Sequence, residues 1–511
     1  MAGTIPELLA RRDPAARAIG APKGDFDRPW LDSTGLLRLV EETRARLNGI
    51  GIGRGDRVTI VLPNGPEMAA AFIAVAAAAS AAPLNPAYRD EEFSFYLTDL
   101  KPKALLIQAG SDSPARAVAA RLSIPLIELS SDPTKPAGFF RLDMGALPPA
   151  QAAHPGPADA DDEALVLHTS GTTARPKIVP LTGANLAASA RHIGATLRLA
   201  PGDICFNIMP LFHIHGLIAA TLSSLAAGAA VACSGGFSAI HFLSQAEQVG
   251  ATWYTAVPTM HQAILGRTER ERDRARALKL RFIRSSSSSL PPQVMAQLED
   301  VFGAPVIESY GMTEATHQMT SNPLPPEPRK PGCVGPAAGP EVRIMDEAGT
   351  ILPQGAQGEV AIRGPNVTNG YADNPEANAK SFTNGWFRTG DEGRLDADGY
   401  LWLTGRLKEI IIRGGEKISP IEVDVVLMDH PAIAQVVTFA MPHPLLGEEV
   451  AAAVVVRDDL KVTETEIREF CATRLAHFKI PRKVLFVKEI PKGATGKLQR
   501  IGLAQKLGLT G

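Results

Sequence analysis

The sequence predicts an α/β protein with a large N-terminal domain of layered sheets and helices, a β-rich subdomain within it, and a small α+β C-terminal domain. Three observations lead there. At 511 residues the chain is too long for one simple core. From residue 34 to residue 309, short apolar runs alternate with stretches of helical periodicity, the pattern of parallel sheets covered by helices. After Asn322 the texture changes, with proline and glycine crowding residues 323–340 and short alternating runs behind them. These shifts divide the chain into residues 1–407, with the β-rich part over 323–407, and residues 408–511.

Taken in order, residues 34–47 carry apolar side chains at helical spacing, and the glycines of 49–55 end that helix. Residues 56–62 read as a strand, 63–66 as a proline turn, and the alanine-rich 68–82 as a helix buried against a sheet. Residues 104–108 form another apolar strand. The Pro-, Ala- and Asp-rich stretch 148–162 is an exposed connector that delivers the chain into the apolar strand 164–167. Further strands are expected at 203–209, 251–257, 280–284 and 304–309, then at 341–345, 358–362 and 400–403. In the last domain, Ser419-Pro420-Ile421-Glu422 and Thr463-Glu464-Thr465-Glu466 read as capping boxes, the first with proline at the first helical position. Strands at 435–439, 450–456 and 484–487 complete it.

Composition narrows the class of partner. The 54 acidic and 52 basic residues leave a formal charge of -2, which argues against a nucleic-acid or anionic-membrane binder. Four dispersed cysteines without a CxxC pair suggest neither zinc nor a disulfide framework, so reduced thiols in a cytoplasmic enzyme are expected. No secretory signal pattern opens the chain, and residues 68–82 are too short to span a bilayer.

Chemistry-bearing residues gather in a few motifs. Thr169-Ser170-Gly171-Thr172-Thr173 leads through Ala174, Arg175 and Pro176 to Lys177, and follows an apolar strand. Glycine lets the backbone approach a polyphosphate while hydroxyls, amides and the lysine supply donors and charge. It is not a Walker loop, which needs Gly-Lys-Ser/Thr opening a helix. In Pro210-Leu211-Phe212-His213-Ile214-His215-Gly216, two histidines stand two apart. A metal would need a third ligand at matching spacing, and none is present, so lining a small-molecule pocket is the better reading beside a purely structural pair. Ser309-Tyr310-Gly311-Met312-Thr313-Glu314 follows a strand, at the end where open α/β sheets bind ligands. Tyr310 suits stacking on a flat base, and Glu314 is a hard oxygen ligand suited to magnesium beside phosphates. Asp391 and Arg406 bracket one hairpin-like segment, where a carboxylate accepts ribose hydroxyls and an arginine pairs with ribose or phosphate oxygens. The Gly414-Gly415 pair allows close backbone approach, and Lys497 sits on a glycine-flanked segment near residue 511.

Together these motifs resemble, in order and spacing, the adenylate-forming superfamily of acyl-CoA synthetases, luciferases and peptide-synthetase adenylation domains, over residues 30–500. Within it the chain is most similar to the oxalate–CoA ligases, through Pro210–Gly216, residues 251–259, 280–285, 312–317, 321–324 and 364–368, and 410–423. Two departures stand out. Ile178 follows the loop lysine where the family has glycine, which is expected to stiffen the loop, and Ser285 to Ser289 is an unbroken serine run where close relatives mix in Cys and Ala.

The resemblance implies an ATP-dependent acid–CoA ligase that uses Mg²⁺ and coenzyme A, with a small domain that rotates about Lys408 over a cleft. Thr169 to Thr173 and Lys177 would hold the phosphates. Ser309, Tyr310, Gly311, Met312, Asp391 and Arg406 would bind the nucleoside, and Glu314 the metal. Thr313, Glu314, His213 and Lys497 would serve catalysis, with Lys497 bridging the carboxylate and the α-phosphate. Gly415 would flank the pantetheine tunnel. Ser287, His213, His215 and His317 would form an acyl pocket rich in hydrogen-bond donors, suited to a small polar acid, oxalate before all. Malonate is the alternative acid, although malonate-using relatives place arginine where this chain has Ser309. A nucleotide-binding scaffold without activity is a distant alternative. Lys497 is also a residue that a lysine acetyltransferase would silence by removing its charge.

Overall fold

The computed structural model describes residues 3–24, 27–145, 147–169, 176–458, 460–492 and 498–509. Two large sheets form the N-terminal part. In the first, seven strands run in the spatial order Phe140–Asp143, Leu126–Ser131, Ala104–Gln108, Arg57–Val61, Ser80–Pro83, Glu163–His168 and Ile178–Thr182. The second has eight, from His317–Ser321 through Val306–Met312, Phe282–Ser285, Trp253–Ala256, Ile204–Asn207, Ala230–Cys233 and Arg17–Gly20 to Leu31–Asp32. The expected parallel pairing holds in the middle of both. Their ends are antiparallel, because Phe140–Asp143, Ile178–Thr182, His317–Ser321 and Leu31–Asp32 each turn straight back on a neighbour without the long crossover that parallel pairing requires.

The two sheets share one apolar layer. The alanine-rich stretch is two elements rather than one: the helix Pro66–Ala76 and the strand Ser80–Pro83. Alanine suits that helix because it lies between sheets and helices on every side, where bulkier side chains would not fit. Only Glu67 in its first turn is not buried, and it pairs with Arg28 at 2.6 Å. The helices Ser33–Gly49 and Gly183–Thr196 join it between the sheets, while Asp90–Leu100 and Pro114–Arg121 cover the outside of the first sheet. Phe242–Val249, Pro258–Thr268 and Pro292–Phe302 cover the outside of the second. The connector 148–162 is exposed at residues 153–155 but buries Ala152 and Ala158, the latter donating to the carbonyl of Ala77.

A third, five-stranded sheet begins with Glu341–Met345 and Gln357–Arg363 and contains the expected hairpin, Trp386–Leu395 with Leu401–Arg406, in which Asp391 lies opposite Arg406. The C-terminal sheet is also five-stranded, built on the long hairpin Ile433–His443 and Gly447–Val456. Its helix Glu464–Ala472 opens on the full reciprocal box of Thr463 and Glu466. At Ser419 only half of the expected box forms. Ser419 accepts from the Glu422 amide at 3.2 Å, but the Glu422 carboxylate turns outward to Lys479 at 2.7 Å, a charged partner that outcompetes a neutral amide.

Candidate active site

The phosphate-type loop leaves and rejoins the first sheet at one neck. The Thr169 amide donates to the Lys177 carbonyl at 2.9 Å, and the Lys177 amide donates to Thr169 Oγ1 at 3.0 Å. Ser170, Gly171, Thr172 and Thr173 between them lie outside the described residues, as does Lys497. Ile178, expected to stiffen the loop, is buried in the strand Ile178–Thr182 opposite His168 and accepts from the Ala372 amide.

Across from this neck, the strand Val306–Met312 carries its tyrosine motif further than the sequence suggests. The motif was expected after the strand, yet Ser309 to Met312 lie within it, paired with His317–Ser321 through a bulge at Tyr310 and Gly311. Glu314 then sits on a short 3₁₀ turn, nearly buried. Its Oε1 accepts from the Tyr371 hydroxyl at 2.8 Å, and the Tyr371 ring lies 4.3 Å under Lys177 Nζ. Burial pushes the Glu314 carboxyl up from its ordinary range, opposed by Tyr371 and by the charges of Lys177 and Arg406. Burial likewise lowers the Lys177 ammonium, against the pull of Glu314, and the charge of Lys408 lowers it further. Tyr371 was not anticipated. Its only signal was an aromatic inside a Gly-Tyr pair, which resembles many turn sequences.

The residues expected to hold the nucleoside meet at the hairpin. The Tyr310 hydroxyl donates to Asp391 Oδ2, and Arg406 Nε stands 3.4 Å from Asp391 Oδ1. This tether fixes the ring of Tyr310 beside a carboxylate and a half-exposed guanidinium. Ser309, in contrast, is turned inward, with its hydroxyl 3.3 Å from Ser321 Oγ. Thr313 is half-buried beside Glu314, and Met312 packs on the central core. Gly415 is exposed at the tip of the Ile411–Arg413 and Glu416–Ile418 hairpin, where φ values of 57° at Gly414 and 95° at Gly415 require glycine.

The second sheet holds a cluster of polar side chains expected to form the acyl pocket. After the strand Ile204–Asn207 the chain enters a π-helix, His215–Leu222, with Gly216 so close to Pro210 that a Cβ would stand 2.4 Å from its carbonyl oxygen. Such widened turns cluster at functional sites. His215 is buried, with Nδ1 3.0 Å from Ser287 Oγ and Nε2 2.6 Å from Thr255 Oγ1, and its ring lies 4.8 Å from that of His317. His213, two residues earlier, is half-buried with its ring 4.5 Å from Phe212. Three residues here have left-handed backbones: Ser287 at φ 76°, Thr316 at 49° and His317 at 95°. Each costs about 1–3 kcal/mol, and such strain persists where the surroundings enforce it. Gly311 is part of that enforcement, since a Cβ there would fall 1.9 Å from the His317 carbonyl oxygen. Thr255 and Arg284, side by side in register, complete the cluster, and the sequence had not singled either out as a site residue.

Comparison with known proteins follows this geometry. Residues 10–372 match the model of the AMP-binding enzyme family, and residues 422–497 that of the AMP-binding enzyme C-terminal domain. The chain belongs to the AMP-binding enzyme family. It is 48% identical to an oxalate–CoA ligase of Arabidopsis thaliana, over 98% of this chain and 97% of that one. A Saccharomyces cerevisiae oxalate–CoA ligase is 43% identical over 88% and 87%. Among solved structures, ATP-bound MatB from Rhodopseudomonas palustris superposes with a TM-score of 0.87 at 29% identity, covering 100% of this chain and 98% of that one. As an AMP-binding enzyme the chain has the large and small domains expected. No helix among the described residues is long and apolar enough to cross a membrane.

Proposed function

We propose that this AMP-binding enzyme is an acid–CoA ligase whose acid is oxalate. The observation that carries the substrate reading is the polar cluster of buried His215, Thr255 and His317 with half-buried Ser287, hydrogen-bonding groups where an aliphatic acid would need apolar side chains. A two-carbon dianion loses far more solvation on burial than a fatty acid does, and only such groups return it. The two oxalate–CoA ligases at 43–48% identity support the same reading.

The reaction runs in two steps. One carboxylate oxygen attacks the α-phosphorus of ATP, forming the acyl-adenylate and releasing pyrophosphate. The pantetheine thiolate of coenzyme A then attacks the acyl carbon, and AMP leaves with the electron pair of the mixed-anhydride bond. Lys177 and the loop from Thr169 to Thr173 receive the β- and γ-phosphates, with Lys408 adding charge on the same side. Tyr310, Asp391 and Arg406 hold adenosine, and Lys497 spans the acid and the α-phosphate. Glu314 fits magnesium, since it is nearly buried, forms no ion pair among the described residues, and belongs to no cluster of three or more metal-binding side chains there. A single protein carboxylate suits an ion held mainly by phosphates, which neutralises charge during transfer. Residues 1–407 and 408–511 act as body and lid.

A pyrophosphate-release screen over oxalate, malonate, glycolate, acetate and coumarate tests the assignment. Oxalate should give the highest kcat/KM, and a preference for coumarate or acetate would overturn the pocket reading.

A further inference from the structure

We propose that Arg284 is the charge that makes the acid pocket select a dianion, acting through His317 to hold the acid's second carboxylate. The inference rests on the acid–CoA ligase reading and adds to it a specificity-determining residue outside the motif set.

Arg284 is fully buried at the end of the strand Phe282–Ser285, on the face that the strand alternation gives also to Phe282. Its Nη2 lies 3.2 Å from Gln318 Oε1 and 3.5 Å from His317 Nδ1. Its Nε and Nη1 are buried without a hydrogen-bond partner among the described residues, and no carboxylate there pairs with it. Another buried arginine of this chain shows what a structural role looks like. Arg12 spends Nε on Ser33 and its two terminal nitrogens on the carbonyls of Leu225, Ala229 and Arg17, all at 3.0 Å or less. Arg284 has no such set. A buried guanidinium with two idle nitrogens and no counter-ion is costly, and the cost is relieved when an anion comes within reach of it.

Geometry links that charge to the acid. A guanidinium only donates, so Arg284 Nη2 faces the His317 ring at Nδ1 as the donor of that pair. The positive charge beside the His317 ring resides on Arg284. Gly311 and the left-handed backbone of His317 fix the ring in that position, 4.8 Å from His215, whose nitrogens are already held by Ser287 and Thr255. Arg284 thus offers one buried cation, beside the His317 ring, to an acid with two adjacent carboxylates. A monocarboxylic acid would leave the cation uncompensated.

The test compares oxalate with oxamate, in which a neutral amide replaces one carboxylate at nearly the same shape, read as a substrate or as a competitive inhibitor. In full-length R284Q, oxalate kcat/KM should fall about a hundredfold, mostly through KM, while oxamate changes less than about threefold. R284K, which keeps the charge, should retain the preference for oxalate, and it carries the test alone if R284Q does not fold. Equal losses for both acids in R284Q, or loss of the preference in R284K, would overturn the role of Arg284 and leave the oxalate reading standing if the unmodified enzyme uses oxalate. An unmodified enzyme that ignores every dianion would overturn both.

Discussion

In our proposal single side chains, Glu314 and His317, set the metal site and the acid site. Glu314 in that proposal binds a divalent ion, which it does only as the carboxylate, and burial holds its carboxyl above the ordinary range, so adenylation should fail as pH drops through that raised value. The Tyr371 hydrogen bond opposes the rise. Tyr371→Phe should therefore move the acidic limb of the pyrophosphate-release profile to higher pH and cost roughly tenfold at neutral pH, the value of one charge-assisted bond of about 1.5 kcal/mol. An unshifted limb would remove Tyr371 from the metal site. His317→Ala should lower oxalate kcat/KM by about tenfold or more, with the KM for ATP little changed. Glu314 was singled out in the sequence by residue type, as a hard oxygen ligand, and His317 only through the resemblance to the family. Tyr371 and Thr255 were not, since an aromatic or a β-branched residue in a buried element reads first as packing.

Regular elements were legible where periodicity was strong. The apolar strand Ala104–Gln108 and the alternating strand Glu341–Met345 have the expected bounds. What periodicity could not reveal is the π-helix at His215, because one extra residue per turn leaves an all-apolar segment looking like an ordinary buried helix. Nor could it show that the strand Val306–Met312 runs through the tyrosine motif, since the bulge that keeps it paired depends on a tertiary neighbour, the strand His317–Ser321. Gly311 is where that pairing becomes functional. Gly311→Ala places a methyl against the His317 carbonyl, so overpacking should cost about 1–3 kcal/mol in thermal unfolding. The displaced His317 should raise the KM for the acid by more than that for ATP. A variant with unchanged melting and unchanged acid KM would show that the strands slide apart without consequence.

At the scale of the whole molecule, our proposal has the small domain decide which half-reaction the cleft serves. The Ser419 hydroxyl donates to the Thr404 carbonyl, Gln293 bonds Asp429, and the charge of Lys408 acts on Lys177, so the C-terminal sheet is docked against the phosphate side of the large domain. In our proposal that arrangement serves adenylation, with Lys497 reaching the α-phosphate, and the thioester step needs the lid turned so that the Gly414-Gly415 hairpin replaces Lys497 in the cleft. A lysine that only neutralises the first transition state contributes nothing to the second. Lys497→Ala should lower ATP-dependent oxalyl-CoA synthesis on the order of a hundredfold or more, the scale of losing one preorganised charge at a phosphoryl centre. Supplied with synthetic acyl-adenylate and coenzyme A, the same variant should form thioester at nearly the unmodified rate. If both rates fall together, Lys497 acts in a single shared arrangement, and the lid does not divide the two steps between its faces.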